Sequence, residues 1–251
     1  MRKLDQRVAI VTGASAGLGR HFAEVLAREG AKTVLVARRG KALETVVRQI
    51  ETEGGEAIAI QADLTDADAA KHVLDAATSA FGTPDILVNN AAMADANFAT
   101  RLSLDTINQV IDLDFRAPFL LSCGLAERLI EREMPGWIVN ISSVGAHYYA
   151  PKSASALYCS CKAGLIRMTE TLAIEWAAFG INVNAIAPGM FESEMTEGYI
   201  ARKGDRVRQG FPRHRFGQPA DLASTLLYLV DPASRLVTGA CITVDDAQTP
   251  R

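Results

Sequence analysis

The sequence predicts an α/β fold in which one parallel sheet of about seven strands carries helices on both faces. Short runs rich in Val and Ile alternate with longer stretches of helical periodicity along most of the chain. The apolar runs show little polar alternation, which is typical of parallel strands buried on both faces. No repeat or low-complexity tract interrupts this order, so residues 1–251 are expected to form one domain with right-handed crossovers and a doubly wound sheet.

The apolar runs and the stretches of helical periodicity give the positions of the predicted strands and helices. Strands are expected within 7–13, 32–38, 56–63, 84–91, 136–143, 181–189 and 241–246. Helices are expected near 18–29, 40–53, 66–81, 103–133, 155–179 and 219–230. Residues 190–218 break the rhythm as a long excursion between the sixth strand and the last helix. Excursions of that length are typical of lids and binding loops, so this segment is predicted to contact the substrate.

Composition excludes several classes of function. The formal net charge is −3 with 49% hydrophobic and 22% charged residues, which gives no general attraction to nucleic acid or to an anionic membrane. No apolar run reaches the ~18 residues of a spanning helix, and no signal peptide is expected. The spacing of the cysteines fits neither a zinc site nor a redox pair: Cys123, Cys159, Cys161 and Cys241. We therefore expect a cytoplasmic protein without a metal.

A glycine-rich turn follows the first predicted strand in VAIVTGASAGLGR. Gly13, Gly17 and Gly19 stand where the strand ends and a helix begins. Glycines at this place let the backbone approach a pyrophosphate, which the helix N-terminus then stabilises. The pattern therefore indicates a nucleotide-binding turn of the Rossmann type, with a purely structural turn as the alternative.

The residues after the second strand indicate which nucleotide binds. A cofactor with a free 2′-hydroxyl usually meets an Asp or Glu about 20 residues past the glycines. Ala37 takes that place here, followed by Arg38 and Arg39. A guanidinium binds a 2′-phosphate in a bidentate manner, so NADP(H) is favoured over NAD(H). The alternative is that both arginines are solvated loop charges.

Two tyrosine–lysine pairs compete for a catalytic role in HYYAPKSASALYCSCK. Tyr148 and Lys152 stand four residues apart, and so do Tyr158 and Lys162. Four residues bring side chains together only in a helix. Pro151 excludes a regular helical turn across the first pair. The second pair is therefore the candidate.

The second pair begins a strong helical pattern that Gly180 ends. Its apolar stripe is Leu157, Cys161, Leu165, Met168, Leu172 and Phe179. A phenol near its usual pKa of ~10 is a poor base, and the Lys162 ammonium is expected to lower the pKa of Tyr158. A carbonyl that accepts hydride needs a proton donor and a second hydrogen bond, which Ser143 at the end of the fifth strand is placed to supply.

These motifs resemble those of the short-chain dehydrogenase/reductase family. The resemblance covers nearly the whole chain and rests on TGASAGLG, QADL, NNAA, ISS, YCSCK and APG in the family's order. It implies that Ser143, Tyr158 and Lys162 are catalytic. The implied cofactor contacts are Gly13, Ser15, Gly17, Leu18, Gly19, Arg38, Arg39, Asp63, Leu64, Asn89, Ala91, Tyr158, Lys162, Pro188, Gly189 and Ser193.

The chain departs from the family pattern at four places. Asp114 stands where the family has a fourth catalytic residue, an Asn that helps hold a water in the proton relay to the lysine. An Asp loses the amide donor, and its charge tends to keep the lysine protonated. Ala92 replaces a usual Gly, and Val244–Ala247 reads VDDA in place of VDGG. Ser193 replaces a usual Thr and keeps a hydroxyl.

The resemblance implies an NADP-dependent oxidoreductase that moves hydride between nicotinamide and a ketone or secondary alcohol, with 3-oxoacyl thioesters as the nearest substrate analogy. Sugar, polyol and steroid alcohols stay open, because loops set specificity. A nucleotide-binding sensor or scaffold with little turnover is the competing hypothesis from another class. His147, Tyr148 and Tyr149 either line a substrate pocket or pack within a loop.

Partners are expected to be a small carbonyl or alcohol substrate and further copies of the chain, most simply a tetramer, with no nucleic acid. Within the excursion, residues 202–215 carry six basic residues and a single acid, Asp205: Arg202, Lys203, Arg206, Arg208, Arg213 and Arg215. Such an edge either steers a CoA thioester or an acyl carrier protein to the site, or is an ordinary solvated surface.

Overall fold

The computed structural model describes residues 2–95, 97–149 and 154–250 and contains a 7-stranded parallel sheet in the order β3-β2-β1-β4-β5-β6-β7. The strands are β1 Val8–Thr12, β2 Lys32–Ala37, β3 Glu56–Gln61, β4 Ile86–Asn89, β5 Gly136–Ile141, β6 Ile181–Pro188 and β7 Cys241–Val244. The order reverses between β1 and β4. A crevice at the carboxyl ends of these strands is where open α/β sheets bind ligands.

Helices cover both faces, as predicted. They are α1 Gly17–Arg28, α2 Gly40–Thr52, α3 Ala69–Phe81, α4 Leu104–Ile111, α5 Ala117–Glu131, α6 Ala156–Glu175, α7 Glu194–Gln209 and α8 Ala223–Val230. One apolar core joins α1, α2 and α8 to the sheet, and includes Phe22 and Leu226. The other core joins α3, α5 and α6 to the opposite face, and includes Leu125 and Leu165. The doubly wound fold is therefore confirmed.

Several boundaries differ from the sequence expectation. The predicted helix at 103–133 is divided by a π-helical turn, Asp112–Arg116, between α4 and α5. The helix at 155–179 ends at Glu175, and Phe179 is 48% exposed, so it does not continue the buried stripe. Strands β3 and β7 are only partly buried because they form the sheet edges. Burial on both faces holds for the inner strands.

The excursion at 190–218 is mainly α7, and a parallel bridge between Phe191 and Gly217 joins its two ends. A capping box between Ser193 and Thr196 begins the helix. The excursion is thus a helical flap, residues 191–217, whose two ends are joined to each other by this bridge. Within the described ranges, no helix is long and apolar enough to cross a membrane, and no cluster of potential metal ligands occurs.

Candidate active site

A cavity of about 580 Å³ opens at the carboxyl edge of the sheet. Most residues singled out in the sequence line it: Gly13, Ser15, Gly17, Leu18, Arg38, Arg39, Asp63, Leu64, Ala91, Ser143, Tyr158, Lys162, Pro188, Gly189 and Ser193. Gly19, Asn89 and Asp114 do not line it. The fold therefore brings the glycine turn, the arginines and the second tyrosine–lysine pair to one continuous wall.

The glycine turn at the start of α1 lines the cavity and packs closely against Asn90. Gly13 and Gly17 have φ values of 67° and 55°, a left-handed conformation that favours glycine. A Cβ atom at Gly13 would lie 2.8 Å from Asn90 Nδ2, and one at Gly19 would lie 2.4 Å from the same atom. The turn thus presents bare backbone at a helix N-terminus, which fits the pyrophosphate of a dinucleotide.

Two arginines follow β2 at one end of the cavity. Arg39 donates from Nε and Nη2 to Ser15 Oγ at 3.2 and 3.0 Å, and its Nη2 pairs with Glu194 Oε2 at 2.8 Å. The Arg38 side chain is 71% exposed, with Nη1 at 3.9 Å from Asp63 Oδ2. Both guanidinium groups line the cavity, so the charge and donor geometry fit a cofactor phosphate.

Asn89, the last residue of β4, and Asn90, the next residue, have different contacts. The Asn89 side chain is buried in the core and donates to Asn140 Oδ1 at 2.8 Å and Ser122 Oγ at 3.1 Å. It therefore ties β4 to β5 and α5 and does not reach the cavity, where the resemblance had placed it. Asn90 lines the cavity instead, and its Nδ2 donates to the Thr12 carbonyl at 2.9 Å.

Ser143 and Tyr158 meet across the cavity wall. Ser143 follows β5 after Ser142 and caps a short 3-10 turn by accepting the Gly145 N–H at 3.0 Å. Tyr158 lies in the first turn of α6, and the Ser143 hydroxyl lowers the pKa of its phenol. The pair presents two hydroxyl groups to one point of the cavity, as a carbonyl oxygen would require.

Lys162 is buried one turn further along α6. Its Nζ donates to the Ile141 carbonyl at 3.0 Å, and lies 5.6 Å from the centre of the Tyr158 ring. The Ser142 hydroxyl donates to the Lys162 carbonyl at 2.8 Å, which fixes α6 against the end of β5. The lysine is thus held at the end of β5, just before Ser143.

Asp114 forms an ion pair with Lys162, with Oδ2 at 3.6 Å from Nζ. The Met93 N–H donates to Oδ1 at 2.8 Å, whereas Oδ2 accepts no hydrogen bond from the described residues. Burial raises the pKa of Asp114 and lowers that of Lys162, and each charge opposes the shift of the other. The π-helical turn places this carboxylate at the lysine, as expected from the alignment with the family's Asn.

The pKa of Tyr158 moves in the direction opposite to that expected. Loss of hydration raises it above its usual value, the Asp114 charge raises it further, and the hydrogen bond with Ser143 lowers it. The expected net lowering of this pKa is wrong, because the loss of hydration on burial outweighs any stabilisation of the phenolate by Lys162, whose charge is paired with Asp114. Tyr158 is therefore a protonated acid at neutral pH.

Asp95 is a site residue that sequence reasoning missed. It is buried, and its carboxylate accepts the N–H groups of Leu157 at 3.0 Å and Tyr158 at 3.3 Å. It thereby satisfies free donors at the N-terminus of α6, directly at the candidate acid. No local pattern pointed to it, because it caps a helix about 60 residues further along the chain.

The loop between Ser143 and Tyr158 does not line the cavity in its described part. His147 lies 3.9 Å from Cys241 Sγ, and Tyr148 and Tyr149 are each 43% exposed. The contacts thus favour loop packing over a pocket wall. Lys152 and Pro151, on which the choice between the two tyrosine–lysine pairs rested, lie outside the described residues.

The VDDA segment adopts the backbone of the glycines that it replaces. Asp246 and Ala247 have φ values of 51° and 60°, a left-handed conformation that costs a residue with a Cβ. Asp246 pairs with Arg215 at 2.7 Å and with Arg213 at 3.2 Å. The segment therefore anchors the end of the excursion through charge, at the expense of backbone strain.

Comparison with known proteins places these features in a family. A family model described as Enoyl-(Acyl carrier protein) reductase matches residues 13–247. The chain is 38% identical over 247 residues to the 3-oxoacyl-[acyl-carrier-protein] reductase of Synechocystis sp., covering 98% of each. It is 36% identical over 238 residues to the corresponding reductase of Staphylococcus aureus, covering 94% of this chain and 96% of that one.

Solved structures agree over nearly the full length. A short-chain type dehydrogenase/reductase from Mycobacterium marinum superposes with a TM-score of 0.95 at 30% identity, covering 99% of this chain and 98% of that one. A short chain dehydrogenase from Burkholderia cenocepacia in complex with NADP gives 0.89 at 33% identity, covering 98% and 99%. The chain therefore belongs to the short-chain dehydrogenase/reductase family, a family of oxidoreductases that act on carbonyl and alcohol groups with a nicotinamide cofactor.

Proposed function

We propose that this protein is an NADP(H)-dependent reductase that interconverts a ketone and a secondary alcohol, with 3-oxoacyl thioesters as its substrate class. One observation carries the proposal. Ser143, Tyr158 and Lys162 lie on the wall of the same cavity as the glycine turn and the two arginines. The cavity thus unites a proton donor, a second hydroxyl and a dinucleotide cradle.

The proposed chemistry assigns one role to each side chain. A nicotinamide dinucleotide held by the glycine turn would supply or accept the hydride. Tyr158, which is protonated at neutral pH, donates its proton to the carbonyl oxygen as negative charge develops there. The Ser143 hydroxyl donates a second hydrogen bond to that oxygen. Lys162, held at the Ile141 carbonyl, stabilises the phenolate that proton donation leaves.

Asp114 acts through Lys162 in this proposal. Its carboxylate keeps the ammonium charged and leaves Oδ2 available to accept a hydrogen bond. The family's Asn would offer an amide donor and no charge. We therefore expect an active enzyme whose pH dependence differs from that of a relative with Asn at this position.

The preference for NADP(H) over NAD(H) rests on Arg38 and Arg39. Both arginines line the cavity beside the end of β2, where Ala37 takes the place of the usual acid. NADP is bound in the structure from Burkholderia cenocepacia, and NADPH in an actinorhodin polyketide ketoreductase that is 28% identical. These cofactors belong to those proteins and support the same choice here.

The thioester class rests on the curated relatives and on part of the basic edge. Arg208 pairs with Asp205, and Arg213 and Arg215 pair with acids outside the excursion, so these three are neutralised. The remaining three form no ion pair with described residues and are exposed on α7: Arg202, Lys203 and Arg206. They would attract the phosphates of a CoA thioester or an acidic acyl carrier protein.

A sugar acid is the second candidate substrate. A candidate 2-deoxy-D-gluconate 3-dehydrogenase from Agrobacterium tumefaciens with bound NADP is 35% identical, with a TM-score of 0.88 over 98% of this chain and 97% of that one. Steroid alcohols, and a nucleotide-binding sensor with little turnover, are supported by no contact in the described structure. A homotetramer in the cytoplasm stays a prediction. It is consistent with exposed apolar residues such as Leu104 and Ile174, which are 70% and 80% exposed.

The test is NADPH consumption with acetoacetyl-CoA, 5-ketogluconate and a simple diketone. Tyr158→Phe should lower turnover by at least about a hundredfold. Tyr148→Phe is the matched control, since Tyr148 lies outside the cavity, and it should retain wild-type rates. A higher kcat/KM for 5-ketogluconate than for acetoacetyl-CoA would overturn the thioester class. NADPH binding without turnover on any substrate would favour the sensor.

A further inference from the structure

The Arg39–Glu194 ion pair spans the cavity between the end of β2 and the first residue of α7. The guanidinium donates from Nη1 to Oε1 at 3.3 Å and from Nη2 to Oε2 at 2.8 Å. Its Nε and Nη2 also donate to Ser15 Oγ. The Glu194 carboxylate thus binds the Arg39 guanidinium in a bidentate manner, as a phosphate would.

The end of β2 therefore has an acidic neighbour, Glu194, although the sequence there contains no acid. The sequence at Ala37–Arg39 contains none, but the fold brings Glu194 to it from 155 residues away. Arg38 is also close to a carboxylate, with Asp63 at 3.9 Å. Each arginine at this end of the cavity faces one acid. The local charge available to an entering phosphate is consequently smaller than the two arginines alone suggest.

The position of Glu194 is set by the flap. The preceding residue, Ser193, caps α7 together with Thr196, and a Cβ atom on Gly17 would lie 3.5 Å from the Ser193 side chain. The start of α7 therefore lies against the glycine turn. Glu194 itself is exposed, with 60% of its side chain accessible, so it is free to turn into solvent when another anion takes its place.

We propose that Glu194 is a specificity-determining residue that weakens binding of the 2′-phosphorylated dinucleotide. A 2′-phosphate must displace the Glu194 carboxylate from Arg39, whereas a dinucleotide with a free 2′-hydroxyl need not. The inference rests on the proposed function only in taking this cavity as the dinucleotide site. Because the ion pair is exposed, water hydrates both groups when it breaks. The effect on NADPH affinity is therefore modest, about three- to tenfold.

The experiment compares dissociation constants for NADPH and NADH by fluorescence titration in wild-type protein, Glu194→Gln and Glu194→Ala. Both substitutions should tighten NADPH binding about three- to tenfold and leave NADH within about twofold. Glu197→Gln is the matched control, since Glu197 is an exposed acid in the same turn of α7 and does not line the cavity. It should change neither constant.

The outcomes separate this inference from the cofactor proposal. Wild-type preference for NADPH with no change of the NADPH/NADH ratio in Glu194→Gln overturns the inference and leaves the cofactor proposal intact. Wild-type preference for NADH with NADPH strengthened in Glu194→Gln supports the inference and overturns the NADP preference. If Glu197→Gln tightened NADPH binding as much as Glu194→Gln does, the cause would be the loss of any negative charge on α7. That result would overturn the inference. Binding of neither nucleotide overturns both.

Discussion

Two buried ion pairs lie at opposite ends of the sheet, and they differ in what they leave free. At the amino end, Arg7 Nε lies 2.8 Å from Asp85 Oδ2, with the guanidinium 4.0 Å from the centre of the Trp137 ring. At the carboxyl end, Lys162 and Asp114 are 3.6 Å apart. The first pair does not line the cavity, and it leaves Arg7 Nε and Nη2 without a hydrogen bond among the described groups. The second borders the cavity.

The difference follows from the partners of each carboxylate. Asp85 Oδ1 accepts the Val8 N–H at 3.1 Å, and Oδ2 lies 2.8 Å from Arg7 Nε. Both carboxylate oxygens therefore have a partner between β1 and β4. Lys162 donates to the Ile141 carbonyl at 3.0 Å, whereas Asp114 Oδ2, at 3.6 Å from its Nζ, accepts no hydrogen bond from the described groups. The same type of pair therefore serves stability at one end and chemistry at the other.

Removing one cation from each pair gives the largest expected contrast. Lys162→Met should lower kcat by at least about a hundredfold, because Tyr158 loses the charge that stabilises its phenolate. Arg7→Met should leave kcat within about threefold but lower the unfolding free energy by about 3 kcal/mol, because Asp85 becomes an unpaired buried charge. Steady-state kinetics and urea denaturation test both. A folded Arg7→Met protein with a large loss of kcat would contradict the comparison.

The amino-end pair should also appear in the pH dependence of stability. Burial raises the pKa of Asp85 from 3.8 to about 6, so the folded protein binds a proton more readily than the unfolded chain does. This stabilisation is complete below about pH 4 and is lost as the pH rises through about 6. Relative to Asp85→Asn, the wild-type unfolding free energy should fall by about 3 kcal/mol between about pH 4 and 7. A constant difference would refute the assignment.

The carboxyl-end pair should instead affect the pH dependence of activity. The Asp114 charge raises the pKa of both Tyr158 and Lys162, so Asp114→Asn lowers both. Alcohol oxidation requires the phenolate, and its pH midpoint in kcat/KM should move to lower pH by about one unit. Asp112→Asn is the control in the same turn, where Asp112 pairs with Arg116 at 3.0 Å. A shift to higher pH would argue against this coupling.

The smallest effect concerns strain at the carboxyl edge. Ala247→Gly should raise the unfolding free energy by about 1 kcal/mol, because glycine adopts the left-handed backbone at position 247 without a steric penalty. Asp246→Gly relieves similar strain but loses the ion pairs with Arg213 and Arg215, so its gain should be smaller. Thermal denaturation of both variants tests this. Equal gains would show that the ion pairs contribute nothing.

The placement of the elements was predictable because strand and helix periods are local properties of the chain. The apolar runs at the inner strands, the glycine turn at Gly13 and the helical setting of Tyr158 all follow from neighbouring residues. The order of parallel strands then brings strand ends, and so Ser143 and the glycine turn, to one edge. That much of the candidate site could be obtained without coordinates.

What only the tertiary structure decided involves groups distant in sequence. Asp95 reaches the N-terminus of α6, and Glu194 reaches Arg39, across separations that no local pattern records. The direction of the Tyr158 pKa shift depends on burial and on Asp114, which the pairing with Lys162 alone did not reveal. Sequence by itself therefore determined the glycine turn, the two arginines and the catalytic side chains of this cavity, but not Asn90 or Glu194, which also line it. The charge states of its side chains depend on distances and burial that arise only on folding.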